Sequence, residues 1–224
     1  MSSLLINEVF ESIQGEGSFT GVPSIFVRLQ GCPVGCSWCD TKHTWDVLPD
    51  NVRTADLVML ENEETAHYFD ASEKALFELF AAQGYRAKHI VITGGEPCMF
   101  DLQTLTSMAI AQGFSIQIET SGTFEIKCAS EAWVTLSPKV NMKGGYEVLS
   151  SAIERANEIK HPVAMQKHVD ELNHIIARRK TSPPPLVYLQ PISMQTRATE
   201  FAVKTCIENN WRLSLQTHKF IGVE

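Results

Sequence analysis

The chain of 224 residues has no apolar run approaching the roughly 18 residues that cross a bilayer, so a membrane partner is not expected. Its first residues, Met1 to Glu8, lack the basic start and long apolar stretch of a secretory leader. Positive charge is also scarce: 19 Lys and Arg stand against 26 Asp and Glu, a net charge of −7. Bulk phosphate binding needs a basic face, so no nucleic-acid partner is expected either. The local run Arg178-Arg179-Lys180 reads as a solvated helix end. There is no internal repeat, no low-complexity tract and no convincing domain boundary. Hydrophobic residues at 44% and charged residues at 20% are ordinary globular values. What remains is small-molecule chemistry in a cytoplasmic, reducing compartment.

What is there is a repeating pattern of short apolar strand, turn residues and helix. Strands are expected at Ser24–Gln30, His89–Thr93, Phe114–Ile118, Trp133–Leu136, Leu186–Leu189 and Arg212–Leu215, with a weaker one near Val163–Met165. Helices are expected at Ser72–Gln83, Leu102–Gln112, Glu147–Lys160, Val169–Lys180 and Thr196–Asn210. Such alternation builds parallel βαβ units. Six or seven parallel strands give an α/β fold, either an open sheet or a full or partial (β/α) barrel. Almost every strand ends in Gly, Pro or polar residues. Ligands of parallel α/β folds bind at those ends, so one large site spanning the sheet is expected. About 50 residues separate Cys39 from His89. That is long for one crossover, so the stretch from Thr44 to Lys88 is an insertion, with Thr54–Glu64 as a candidate extra helix.

The six cysteines are not spread evenly. Cys32, Cys36 and Cys39 fall within eight residues, C-x3-C-x2-C, on a loop leaving a strand. Clustered thiols in a reducing compartment are metal ligands more often than disulfides. No fourth cysteine is near. Asp40 or His43 could complete a tetrahedral zinc site; alternatively three thiolates hold a [4Fe–4S] cluster with one iron open to a small molecule. Cys98, Cys128 and Cys206 are given no role.

The triplet, with Trp38 before its last cysteine, resembles the cluster loop of the radical S-adenosylmethionine (SAM) enzymes. Gly94-Gly95-Glu96-Pro97 after the next clear strand resembles the GGEP turn of the same superfamily, which binds the SAM amino group. Further islands resemble the 7-carboxy-7-deazaguanine synthase family within it. They are Asn7 to Pro23, Phe26 to Cys32, Cys39-Asp40-Thr41-Lys42, Val91 to Pro97, Gln117 to Gly122, Ser137-Pro138-Lys139 and Gln216-Thr217-His218-Lys219. Only 44–88 and 164–185 lack such motifs. A glycyl-radical activase uses the same cysteine spacing, but the loop Gln14-Gly15-Glu16-Gly17 argues against it. A zinc-stabilised binding module is the reading from a different class.

That resemblance implies a partial (β/α) barrel formed by one domain over residues 1–224, with the insertion at 44–88. It implies a homodimer. It also implies conversion of 6-carboxy-5,6,7,8-tetrahydropterin to 7-carboxy-7-deazaguanine with loss of ammonia, in the making of the queuosine precursor. Hydrogen would be abstracted at C6 of this pterin substrate. The implied cofactors are the [4Fe–4S] cluster on Cys32, Cys36 and Cys39, SAM, and Mg²⁺ on Thr41. A flavodoxin-type protein would supply electrons. The family's substrate loop corresponds to Ile13, Gln14 and Gly15, acting through backbone groups, and to Glu16. Arg28, a charge in an apolar strand, would meet the substrate carboxylate; Thr93 and Glu224 would also touch substrate. SAM would lie against Trp38, Gly94, Gly95, Glu96, Ser137, Pro138, Lys139, Gln190, Pro191, Ile192 and Ser193. Glu119 and His218 would move protons.

Overall fold

The computed structural model describes residues 3–61 and 63–223. The chain opens with strand β1 (Leu4–Ile13) and β2 (Pro23–Leu29), followed by the cysteine loop, a short helix α1 (Ala55–Val58) and β3 (Phe69–Ala71). Then come α2 (Glu73–Ala82), β4 (His89–Gly94), α3 (Gln103–Ala111), β5 (Ser115–Thr120) and β6 (Trp133–Leu136). The remainder is α4 (Ser150–Arg155), β7 (Glu158–Val163), α5 (Gln166–Ala177), β8 (Leu186–Pro191), α6 (Thr196–Asn209), β9 (Arg212–Leu213) and α7 (Thr217–Ile221).

One nine-stranded sheet runs in the order β3-β1-β2-β4-β5-β6-β7-β8-β9. From β2 to β9 all seven strands are parallel, while β1 pairs antiparallel with both β2 and β3. The sheet is not closed, which is the partial-barrel architecture expected. Its outer face carries the apolar core. Ile116 and Ile118 of β5 join one cluster with Leu76 and Leu105; Ile159 of β7 joins a second with Leu172 and Ala202. Strand side chains alternate faces, so Gln117, Glu119, Glu158 and Lys160 point to the other, concave side. That side is polar.

Several boundaries differ from the sequence expectations. The region before Gln14 is a ten-residue strand, held as the partner of β2 and of β3. The helix expected over Glu147–Lys160 stops at Arg155; Ala156 is extended and Glu158–Val163 pairs with β8 over six residues. The weak strand placed near Val163–Met165 is therefore the end of a longer one. Here ladder pairing overrides the local helical composition. In the insertion, the helix expected over Thr54–Glu64 is limited to four residues, and β3 adds to the sheet edge instead.

Candidate active site

The cysteine loop begins where β2 ends and is fastened by backbone bonds. Gly31 N–H donates to Thr44 O (2.7 Å), Cys32 N–H to Trp45 O (3.0 Å), and Gly144 N–H to Val34 O (3.0 Å). Two segments, 44–45 and the turn at Gly144, thus fasten the loop that carries the thiols. The GGEP turn packs directly beneath: Gly95 N–H donates to Leu29 O and Glu96 N–H to Gly31 O, both at 2.8 Å. These N–H groups are consumed inside the protein, so they are not ligand donors. The glycines serve a different need. A Cβ on Gly94 would lie 2.2 Å from Leu29 N, and Gly94 has φ +111°; only glycine fits that backbone.

Glu96 also departs from expectation. It is 1% exposed, and its carboxylate accepts from Thr120 Oγ1 (2.6 Å), Ser121 Oγ (2.5 Å), Ser121 N (2.8 Å) and Cys98 N (3.0 Å). A filled, buried carboxylate ties β4 to β5 and has no lone pair left for an ammonium group.

Burial pushes the Cys32 thiol up to about 11. Burial also raises Cys36, opposed by the nearby Lys139 ammonium. Bare, these thiols stay protonated; the positive charge of bound iron makes thiolate the favoured form. Among the described residues no three His, Cys, Asp or Glu converge tightly enough to hold one ion. A cluster spreads its thiolates over separate irons and needs no such convergence. The donor set therefore fits a [4Fe–4S] group. Thr41 Oγ1 lies 3.5 Å from Cys39 Sγ, so its hydroxyl sits beside the last of the three thiols. Trp38 is 57% exposed and offers an open ring face. Lys139 Nζ donates to Ser137 Oγ (2.7 Å), and Pro138 between them is buried.

The centre of the concave face is a charged network. Lys160 of β7 forms ion pairs with Glu16, from the loop after β1, and with Glu119 Oε2 of β5 (3.1 Å). Gln14 Nε2 reaches Glu119 Oε1 and Gln117 Oε1, each at 3.1 Å. Gln216 and Gln190 donate to Glu16 Oε1 at 2.9 and 3.3 Å. Burial alone would raise the Glu16 carboxyl, but the Lys160 cation and these donors hold it below the usual range. Lys160 itself is raised: the two carboxylates outweigh its desolvation.

Gln14 and Gly15 do not act as expected. The Gln14 backbone is used within its own hairpin, with Val22 O and Gly21 N at 2.9 and 2.8 Å. Its side chain, 3% exposed, is the group that enters the site. Gly15 O accepts from Thr217 N and Oγ1. Gly15 is glycine because of His218: a Cβ there would lie 2.1 Å from His218 Nδ1. Burial lowers the His218 imidazole, with Glu16 opposing, so the ring is a neutral base near pH 7. Ile13, half-buried, closes the β1–β2 ladder against Pro23.

Arg28 Nε donates to Glu8 Oε2 (2.7 Å), its cross-strand partner. Its two terminal nitrogens have no hydrogen bond among the described residues, so one edge of the fork is open. Thr93 sits beside it, paired in register. Gln190 turns toward Glu16, not toward the Ser137–Lys139 turn, and its Oε1 is buried without a partner. Pro191 ends β8; Ile192 and Ser193 continue as a single turn in which Ser193 is exposed with φ 52°. Glu224 lies outside the described residues. Sequence reasoning missed Lys160, Gln117 and Glu158. The signal was present: Glu158, Lys160 and Pro162 alternate with Ile159, His161 and Val163, a period of two that begins inside the stretch read as helical, Glu147–Lys160.

Comparison with known proteins agrees with this geometry. Residues 26–134 match the family model described as the radical SAM superfamily. The 7-carboxy-7-deazaguanine synthase of Escherichia coli strain K12 is 53% identical over 218 residues, covering 97% of this chain and 98% of that protein. The enzyme of the same name from Buchnera aphidicola is 44% identical over the same length and coverage. The crystal structure of QueE from Escherichia coli superposes with a TM-score of 0.94 at 52% identity, covering 95% and 93% of the two chains. With its cysteine triplet clamped over a GGEP turn at the open ends of a parallel sheet, the chain belongs to the radical SAM superfamily and, within it, to the 7-carboxy-7-deazaguanine synthase family.

Proposed function

We propose that this chain converts 6-carboxy-5,6,7,8-tetrahydropterin to 7-carboxy-7-deazaguanine with release of ammonia, supplying the queuosine precursor. The observation that carries the reading is identity of 53% across 97% of the chain, joined to a cysteine loop and polar lumen at the same strand ends. When bound at Cys32, Cys36 and Cys39, the cluster and SAM supply the one-electron chemistry that removes hydrogen from carbon.

The chain's own residues do the rest. The open edge of the Arg28 fork suits the substrate carboxylate bidentately. Glu16 accepts from the N–H edge of the pterin, and Thr93 lines the same space. His218 and Glu119 flank that position, and elimination of ammonia needs one proton removed from carbon and one delivered to nitrogen. Trp38 and the Ser137–Lys139 turn border the SAM nucleoside, with Ile192 and Ser193 opposite. Thr41 contributes one hard oxygen to Mg²⁺, whose remaining ligands are water and substrate. The buried walls exclude water. Residues 1–224 act as one domain with the insertion at 44–88, as a cytoplasmic homodimer reduced by a flavodoxin-type donor.

The test is anaerobic reconstitution with iron, sulfide, SAM, Mg²⁺ and reductant. The protein is expected to turn brown and form the deazapurine, and Cys36→Ala to abolish both. Stoichiometric zinc without sulfide, or turnover unaffected by Cys36→Ala, would overturn the reading.

A further inference from the structure

We propose that Lys160 is a positioning residue whose ammonium, set between Glu16 and Glu119, keeps two carboxylates from separate elements side by side as anions in the barrel. The inference rests on the pterin reading above and adds a residue to it. Lys160 sits in mid-strand with its side chain 6% exposed, and the two carboxylates it joins are 13% and 20% exposed.

Each carboxylate is divided in the same way. One oxygen faces Lys160; the other is held only by neutral amides. Those are Gln216 and Gln190 for Glu16, and Gln14 and, at 3.4 Å, Gln117 for Glu119. Amides orient a carboxylate but do not neutralise it. Two like charges in a closed lumen otherwise share a proton, with one pKa strongly raised.

No other cation bonds both acids among the described residues. His218 from α7 faces Glu16 and its charge also lowers that carboxyl, but burial lowers the imidazole itself and it makes no hydrogen bond to either acid among the described residues; Lys219 beside it is exposed. Glu158, two residues earlier on β7, adds a further carboxylate; it accepts from Ser18 N and Thr135 Oγ1. Arg28 bonds Glu8 on β1 through Nε and neither of these acids, and Arg212 bonds the Tyr188 hydroxyl. Asp40, from the cysteine loop, is exposed and is felt at His218. Lys160 is thus the one cation bonded to both acids among the described residues.

The loop that carries Glu16 is held independently. Gly15 O accepts from Thr217, Gly17 N–H donates to Ser214 Oγ (3.1 Å), and Ser18 N–H donates to Glu158 (3.1 Å). Losing the Lys160 charge therefore changes the protonation of the acids without releasing the loop.

The test compares wild type, Lys160→Met and Lys160→Arg as holoenzymes. Two pH profiles are read: kcat/KM, and equilibrium binding of the fluorescent analogue 6-carboxypterin without reductant. In Lys160→Met the acid limb of both is expected to move up by about 1–3 pH units, with function recovering as pH rises. In Lys160→Arg both limbs stay at the wild-type position. A limb unmoved in Lys160→Met, or moved equally in Lys160→Arg, overturns the proposal. If Lys160→Met does not fold, Lys160→Gln, which keeps donors without charge, is read in the same way. Wild type that neither binds the analogue nor turns over would instead sink the pterin reading.

Discussion

A Cβ added to Gly95 would stand 2.1 Å from the carbonyl oxygen of Gly31. Gly31 is the residue before Cys32, so the GGEP turn and the cysteine loop are in backbone contact. The obstacle is main chain, and no rotamer change relieves it. Gly95→Ala is expected to push the cysteine loop outward and to destabilise the fold by about 1–3 kcal/mol. Iron content after reconstitution, measured beside the thermal midpoint, checks this. Full iron incorporation in a normally stable Gly95→Ala protein would contradict it.

Glu96→Gln removes one acceptor oxygen from a site with four donors and presents an amide N–H₂ to hydroxyl and backbone N–H groups. Hydrogen bonds to a charged acceptor contribute about 1.5–3 kcal/mol each, and an unmet buried donor costs about 1–3 kcal/mol. A loss of at least about 2 kcal/mol in urea unfolding is expected. If Glu96 instead served chiefly to bind SAM, stability would be unchanged and only SAM affinity would fall.

Arg28→Met is expected to leave unfolding free energy within about 1 kcal/mol of wild type, because the pair with Glu8 is partly solvated. Its effect should appear in kcat/KM for the carboxylated pterin, as a loss of about 10- to 200-fold for a charge-assisted contact worth 1.5–3 kcal/mol. Arg28→Lys should recover only part, since a point charge does not reproduce the fork. Steady-state kinetics on the three proteins decides.

His161 on β7 is 5% exposed and its Nδ1 has no hydrogen-bond partner. Burial, helped by the Lys139 and His168 charges, lowers the imidazole from 6.5 to about 4. Between those values the unfolded chain binds the extra proton, so stability rises with pH there. The contribution is complete above about pH 6.5 and is lost as pH falls toward 4, roughly 3 kcal/mol at the limit. Urea unfolding of wild type and His161→Gln at pH 4.5 and 7.5 should show a smaller pH difference in the variant. Equal differences would mean the ring titrates normally.

Much of this was legible in the amino-acid order. The cysteine loop, the GGEP turn and most parallel strands are local patterns, and local patterns survive without knowledge of neighbours. Three things were not. β1 gave no sharp strand signal because Glu8 and Glu11 interrupt its apolar residues; its partners β2 and β3 make it a strand. Glu158–Lys160 looked like the tail of a helix until β8 supplied its ladder. Glu96 reads as a ligand by motif, yet Thr120 and Ser121, 24 and 25 positions on, fill its carboxylate.

By itself, the sequence determined the chemistry: which thiols are spaced to share a cluster, and where strands end in glycine. Only the tertiary structure decided which charged groups meet in the site. Glu16, Glu119 and Lys160 lie up to 144 positions apart, and no periodicity links them. Their pairing follows from distance and burial. Those quantities exist only once β5, β7 and the loop after β1 have closed around one small volume.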